Sequence, residues 1–415
     1  MMQQVSQGDR DVLRRLAAQL AELATLPLQQ ERRLGWTRVN DLQRGVKPMI
    51  LVREEPWNEF AEHDDLRLCC QDSFLRQNEL GMRMQLFKWK NFQGDMIINP
   101  FWPLQKQTTF DSCCSVKIEE DTIAYDPKGG IKSHHYHTLF NQPEDLQRIR
   151  MLKIEYDEKT TLERLQKLQE CFGDLLPIRL QGFGFLSFAV WDRIAMWYNP
   201  TDLLQDLILK PEWMHAIVSR YTEAMLYQLD QLEQQHLLRV SNEDAIGSGG
   251  LGYVSDLPGE YFQPECVHPF NQWGNSMPQI FSDVSPAMHE EFALQYERRW
   301  MERFDLNYYG CCEPLHLKVD ILKSVPNLRK VSCSPRANLE RIAAEIQGRW
   351  VISVKPNPAA VAGDDFSEAS IREGFRRQLE ILGDLPGEFI FKDISTCRSD
   401  PARITRWVQA LQDCL

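Results

Sequence analysis

Leu13, Leu16, Leu20 and Leu23 return to one face at three- and four-residue steps, which predicts an opening helix. From there to about residue 150 the periodicity is lost. The short apolar runs of "KPMILVREEPW", "GDMIINPFWP" and "DPKGGIKSHHYH" are broken by Pro and Gly among Trp and Phe, so residues 1–150 read as an N-terminal helical and mixed extension, a cap or lid. Over residues 151–415 apolar strands alternate with long helices. The strand candidates are "PIRLQGFGF", "LLRVSNED", "DLNYYGCCEP", "LRKVSCSP", "WVISVKPNP" and "EFIFKDISTC". Between them run helical stripes such as Met214, Ile217, Val218, Tyr221, Met225, Leu229 and Leu232, or Ile371, Phe375 and Leu379. Such alternation predicts right-handed βαβ units on a parallel sheet. With no Gly-rich dinucleotide fingerprint, the expectation is a (β/α)8 TIM barrel, its first strands hidden earlier in the chain, rather than a doubly wound sheet.

In that fold, chemistry gathers where strands end. The polar residues there are Asn242, Glu243 and Asp244; Tyr309, Cys311, Cys312 and Glu313; Ser332 and Cys333; Lys355 and Asn357; and Lys392, Asp393 and Cys397. Three strands thus bring a thiol to one end. In "YYGCCEPLH" strand alternation sets Tyr309, Cys311 and Glu313 on one face and Tyr308, Gly310 and Cys312 on the other, so only one of the adjacent cysteines faces the axis without a bulge. Against a ligand role stands ordinary burial, the commonest fate of a free cysteine, and Cys312 and Cys333 read as packing. Lys355 and Lys392 stand where they neutralise substrate charge, donate a proton, or close a structural ion pair with Asp393.

Composition trims the options. A chain of 415 residues, 43% hydrophobic and 26% charged, suits one barrel with extensions or two domains. No apolar run has membrane-span length and "MMQQVSQGDRDVLRRL" has no apolar signal stretch, so a cytoplasmic protein without a membrane partner is expected. Eleven scattered cysteines, an odd number, then read as free thiols, with metal binding by some of them open. A net charge of -12 with no basic stripe argues against a nucleic-acid partner.

The order of "NPTDLLQDLILKPEWMHAIVSRYTEAM", "SDVSPAMHEEF", "YYGCCEPLH", "NLRKVSCSP", "WVISVKPNP" and "DISTCRSDPARI" resembles the uroporphyrinogen decarboxylase superfamily. Within it, the order resembles the zinc-dependent methyltransferases of corrinoid-linked methyl transfer. The resemblance covers roughly residues 190–415. It implies Zn2+ held by Cys311, at the cysteine of the family's His-x-Cys motif, and by Cys397. The family histidine falls on Tyr309, a poor ligand, so Asp283 or Glu243 is expected to complete the site. An open fourth position would activate a substrate thiol or polarise a methyl donor. The implied partners are a corrinoid (cobalamin) protein and a small methyl donor or thiol acceptor. Glu243, Tyr309, Glu313 and Lys355 are the expected catalytic residues, and Asn242, His137, His316 and Lys392 the expected substrate contacts.

Two other functions fit the same fold. Uroporphyrinogen decarboxylation needs a basic N-terminal segment, whereas "NDLQRGVKPMILVREEPW" offers only Arg44, Lys47 and Arg53 before two glutamates. A non-catalytic barrel that docks a corrinoid protein would tolerate loss of Cys311. The histidines of "SHHYH" could bind metal on an extended strand, but loop histidines are more often exposed or hydrogen-bonded.

Overall fold

The computed structural model describes residues 5–124, 132–260 and 262–415, so the "DPKGG" stretch lies outside the described residues. Helix α1 (Gln7–Ala24) forms where its leucine stripe predicts, and the Ser6 hydroxyl accepts the Asp9 N–H at 3.0 Å as its cap. There follow α2 (Pro27–Asn40), β1 (Met49–Val52), α3 (Ser73–Asn91), β2 (Trp102–Gln105), β3 (Glu120–Ala124), β4 (Lys132–Tyr136), α4 (Glu158–Phe172) and β5 (Ile178–Gln181). The remaining strands are β6 (Trp273–Ser276), β7 (Leu306–Tyr309), β8 (Leu328–Cys333), β9 (Val351–Val354) and β10 (Gly387–Phe391).

The chain is an α/β fold on a six-stranded parallel sheet, ordered β1-β10-β9-β8-β7-β6. Strand β1, from the first 150 residues, pairs with β10 in the register Met49↔Glu388, so the N-terminal segment is part of the sheet as well as a cover. β2 and β5 form a separate parallel pair, and single parallel bridges tie Phe183 to Leu238 and Phe188 to Ser276. Among the described residues no ladder joins β1 to β2.

Both faces of the sheet are buried, which is why its strands read as unbroken apolar runs. On one face Ile50, Val52, Tyr309, Val331, Ile352, Val354, Phe389 and Phe391 pack with the helices that follow the strands. α1, α3 and α4 enclose a second core with β2, built on Leu16, Leu75, Met82, Trp102, Leu168 and Phe172. The other face carries Met49, Leu51, Val351 and Ile390 against Trp36 and Val39 of α2, and Leu306 and Tyr308 against Ile246 and Trp273. There the Lys330–Glu388 ion pair (2.8 Å) is fully buried, its ammonium 5.8 Å from the Trp36 ring and 5.5 Å from the Trp273 ring.

The stretch "LLRVSNED" does not continue as a strand. After a single bridge at Leu238 the chain turns and sends a tight hairpin, residues 244–252, across this second face. Its glycines explain why. A Cβ on Gly250 would lie 2.2 Å from the Trp36 ring, and one on Gly249 2.7 Å from Glu388 Oε1, so no side chain fits against the sheet. The Gly250 N–H donates to Glu388 Oε1 at 2.9 Å, and the tip places Ser248 Oγ 3.2 Å from the Gly310 carbonyl.

Candidate functional site

At the C-terminal ends of β1, β7, β9 and β10, charged and thiol side chains meet the tip of this hairpin. Glu388, Ile390 and Lys392 alternate along β10 toward the hairpin face, which turns the Lys392 ammonium inward. It stands 3.4 Å from Cys311 Sγ, 3.3 Å from Glu54 Oε2 and 3.1 Å from Asp393 Oδ1. Glu54 and Asp393, just past β1 and β10, both take left-handed backbone angles (φ 55° and 56°), an uncommon conformation for residues with a side chain and one found at functional sites.

Of the two adjacent cysteines, Cys311 is the one held below the ordinary thiol range. The hydrogen bond from Cys312 (Sγ to Sγ 3.5 Å), the Lys392 and Lys355 cations and the Ser248 hydroxyl hold it down to about 5, against the penalty of burial. The same hydrogen bond and burial push the Cys312 thiol up, so Cys312 keeps the proton. The surrounding Cys311, Glu54 and Asp393 charges raise Lys392 despite its burial. Burial and the hydrogen bond to Asp393 raise Glu54, whereas that bond and Lys392 lower Asp393 against its own burial.

A second layer fixes the thiolate. Lys355 Nζ donates to Tyr308 Oη at 2.7 Å and to the Ser353 carbonyl at 3.1 Å, and Tyr308 Oη lies 2.9 Å from Ser248 Oγ. Arg53 Nη1 donates to the carbonyls of Gly247 (2.9 Å) and Gly249 (2.8 Å), tying the end of β1 to the hairpin. The Cys311 N–H donates to Glu313 Oε2 at 2.9 Å; burial raises this carboxyl to about 7, and its Oε1 has no partner.

Tyr309 lies elsewhere. Simple alternation pairs it with Cys311, but Gly310 takes φ 91° and resets the backbone, so Tyr309 faces the helices while Cys311 faces the hairpin side. Tyr309 Oη donates to Glu297 Oε2 at 2.6 Å and lies 2.6 Å from His289 Nε2, the residue just before a π-helical turn at Glu290–Leu294. Burial pushes Glu297 up to about 8 and holds His289 below its ordinary value.

Of the other residues singled out in the sequence, Cys397 Sγ donates to Glu59 Oε2 at 3.3 Å, and burial with that carboxylate pushes the thiol up to about 12. Asp283 has a side chain 92% exposed and stands 3.9 Å from Arg336. Glu243 pairs with Arg179, and Asn242 donates to the Leu257 carbonyl at 3.0 Å, both beside a separate cavity that β5 also lines. His316 sits on a short 3-10 turn, Leu315–Leu317. His137 follows the exposed β3–β4 hairpin, 3.0 Å from Asp121. The structure therefore assembles Cys311, Glu313, Lys355 and Lys392 but not the rest of the expected set.

These donors do not fit the expected zinc ion. A lysine ammonium already touches Cys311 Sγ, the Cys397 thiol is spent on Glu59, and Asp283 and Glu243 point to arginines. Among the described residues, no three His, Cys, Asp or Glu side chains gather to hold a metal. Sequence reasoning missed Glu54, Ser248 and Tyr308. Glu54 directly follows the "MILVR" run and becomes legible once that run is placed in the parallel sheet; Ser248 carries only a turn signal.

No family model matches the chain, and no curated protein matches it. Among solved structures the chain is similar to a methyltransferase from Methanosarcina mazei, at 11% identity and a TM-score of 0.50, over 92% of this chain and 98% of that one. At that identity the likeness shows a shared α/β fold.

Proposed function

We propose that this protein is a methyltransferase built on a (β/α)8 barrel, with the Cys311 thiolate as the group at which the methyl is exchanged. The observation that carries the proposal is a buried thiolate paired to the Lys392 ammonium at 3.4 Å, at the strand ends where this fold places its chemistry. A thiolate kept ionised is a soft nucleophile suited to an electrophilic methyl carbon. The fold shared with a methyltransferase and the resemblance of "YYGCCEPLH" to the corrinoid-linked family point the same way. The resemblance makes a corrinoid carried on a partner protein the expected partner in the exchange. A methylcorrinoid would supply an electrophilic methyl carbon, and the Cys311 sulfur would be the group in this chain that accepts it. Lys392 stabilises the thiolate beforehand, and the Ser248 hairpin with Tyr308 shuts one side of the site from water.

Uroporphyrinogen decarboxylation is less well supported, because the basic residues it would need are committed. Arg44 pairs with Asp384 at 3.1 Å, and Arg53 holds the hairpin carbonyls.

Incubation with methylcobalamin, followed by intact-mass and peptide mapping, tests the proposal. Wild type is expected to gain the mass of one methyl in place of hydrogen at Cys311 and to release cob(I)alamin, visible by its absorbance. Cys311→Ser is expected to do neither. Equal methylation of the two proteins, or none of wild type, rejects Cys311 as the exchange centre.

A further inference from the structure

Six of the eleven cysteines stand in adjacent pairs, Cys69 with Cys70, Cys113 with Cys114 and Cys311 with Cys312. In the first two pairs sulfurs are turned to other partners. Cys69 Sγ donates to the Arg67 carbonyl (3.8 Å), Cys70 Sγ to the Asp9 carbonyl (3.9 Å), and Cys114 Sγ accepts from Gln228 Nε2 at 3.5 Å. Burial holds the Cys70, Cys113 and Cys114 thiols above the ordinary range, so they keep their protons. Only in the third pair, among the described residues, is a cysteine sulfur hydrogen-bonded to a second cysteine sulfur, at 3.5 Å.

The surroundings give these two sulfurs different parts. Cys311 is 6% exposed, and the Lys392 ammonium stands 3.4 Å from its Sγ. Cys312 is half-buried, keeps its proton, and also donates to Asp393 Oδ2 at 3.7 Å. An ionisable thiol beside a second thiol that can resolve it is the arrangement of a peroxide-sensitive pair. Residues 311–313 lie between β7 and the 3-10 turn at Leu315, outside any ladder, so bringing the sulfurs together breaks no strand pairing.

We infer that Cys311 and Cys312 form a reversible disulfide when hydrogen peroxide reaches the site, which takes the Cys311 sulfur out of methyl exchange until a dithiol reduces the pair. The regulatory meaning rests on the proposed role of Cys311, whereas the thiol chemistry does not. In the first step the Cys311 sulfur attacks one peroxide oxygen. The S–O bond forms as the O–O bond breaks, the sulfur is oxidised by two electrons to a sulfenic acid, and the other oxygen leaves as hydroxide beside the Lys392 ammonium. In the second step the Cys312 sulfur attacks that sulfenic sulfur. The S–S bond forms as the S–O bond breaks, and the Cys312 proton, passed through Asp393, leaves with the hydroxyl as water. Consecutive Cα atoms are about 3.8 Å apart, short of the roughly 4.4 to 6.8 Å usual across a disulfide. The bond is therefore strained and readily reduced, as a switch requires.

The test treats the full chain with hydrogen peroxide, labels the remaining thiols with iodoacetamide under denaturing conditions, and maps the peptides by mass. Wild type is expected to lose two hydrogens from the peptide that carries Cys311 and Cys312, with loss of labelling at both, while the other two adjacent pairs label in full. Dithiothreitol is expected to restore labelling. Cys312→Ser, whose folding urea midpoints check, is expected to stop at the sulfenic acid, trapped at Cys311 by dimedone. Oxygen added at Cys311 of wild type without the disulfide, a disulfide from Cys311 to any other cysteine, equal loss of hydrogen across all three pairs, or no dimedone adduct in Cys312→Ser overturns the inference. The mass readout needs no corrinoid. A disulfide in a chain that takes up no methyl when reduced therefore rejects the methyl-transfer reading and leaves the pair standing, whereas methyl uptake without the disulfide rejects the pair alone.

Discussion

At the scale of single residues, the chemistry turns on which of two adjacent cysteines carries charge. The Cys312 hydrogen bond, with the cations of Lys392 and Lys355, selects Cys311 and holds it down to about 5. Thiolate is the reactive form, so the rate of alkylation at Cys311 is expected to stay level from neutral to alkaline pH and to fall as pH drops through about 5. In Lys392→Met the midpoint of that profile is expected to move up toward the ordinary thiol value of about 8.5, and stopped-flow alkylation reads the shift directly. A profile unchanged in this variant would assign the lowered value to something other than the 3.4 Å ion pair. The sequence pointed to Cys311 but grouped it with Tyr309. One glycine with φ 91° undoes that grouping, and no alternation rule anticipates a left-handed residue in the middle of the motif.

At the scale of elements, the hairpin 244–252 is the part that differs most from a plain strand-and-helix reading. Apolar "LLRV" looked like a strand, and the polar residues after it like a strand end. In the structure the glycines let the chain lie flat on the sheet, and Glu243 and Asn242 end up at the cavity. Gly250→Ala is expected to destabilise the protein by about 1 to 3 kcal/mol, because its Cβ meets Trp36, a rigid ring packed under the sheet. Urea unfolding midpoints measure that cost. Ser248→Ala removes a hydroxyl contact rather than volume. It is expected to raise the pKa of Cys311, which the alkylation profile reports, at a cost of about 1 to 3 kcal/mol for the buried partners it leaves unpaired.

At the scale of the whole molecule, several carboxyls are buried without a full set of partners. Burial raises Glu297 to about 8, Glu313 to about 7 and Asp192 to about 6, the last while it accepts from the Gln279 backbone at 2.8 Å and its side chain at 2.7 Å. Between their ordinary values and these raised ones the folded state holds protons that the unfolded chain has released, so stability falls as pH rises. These three carboxyls therefore contribute a decline in unfolding free energy from pH 5 to pH 8, opposed by Cys311 and His289, whose lowered values make the folded state release protons that the unfolded chain still holds. Glu297→Gln is expected to flatten that slope, as urea titrations at the two pH values show. Elemental analysis adds a separate check, because the donor geometry leads us to expect substoichiometric zinc, unaffected by Cys397→Ser. One tightly held zinc per chain, lost in that variant, would restore Cys397 as a ligand and require Lys392 to move.

The sequence by itself determined what local pattern can determine. The leucine stripe of α1, the parallel strands of "LRKVSC", "WVISV" and "EFIF", and the gathering of Cys311, Lys355 and Lys392 at strand ends all follow from residue spacing, because periodicity dictates which side chains share a face. Tertiary structure alone decided the rest. It placed β1 beside β10, which brought Glu54 to Lys392 across more than three hundred residues of chain. It spent Cys397 on Glu59, left Asp283 in solvent, and carried Ser248 to the thiolate. Those outcomes depend on contacts between segments far apart in the chain, and their partners are fixed only when the sheet and its covering elements pack together.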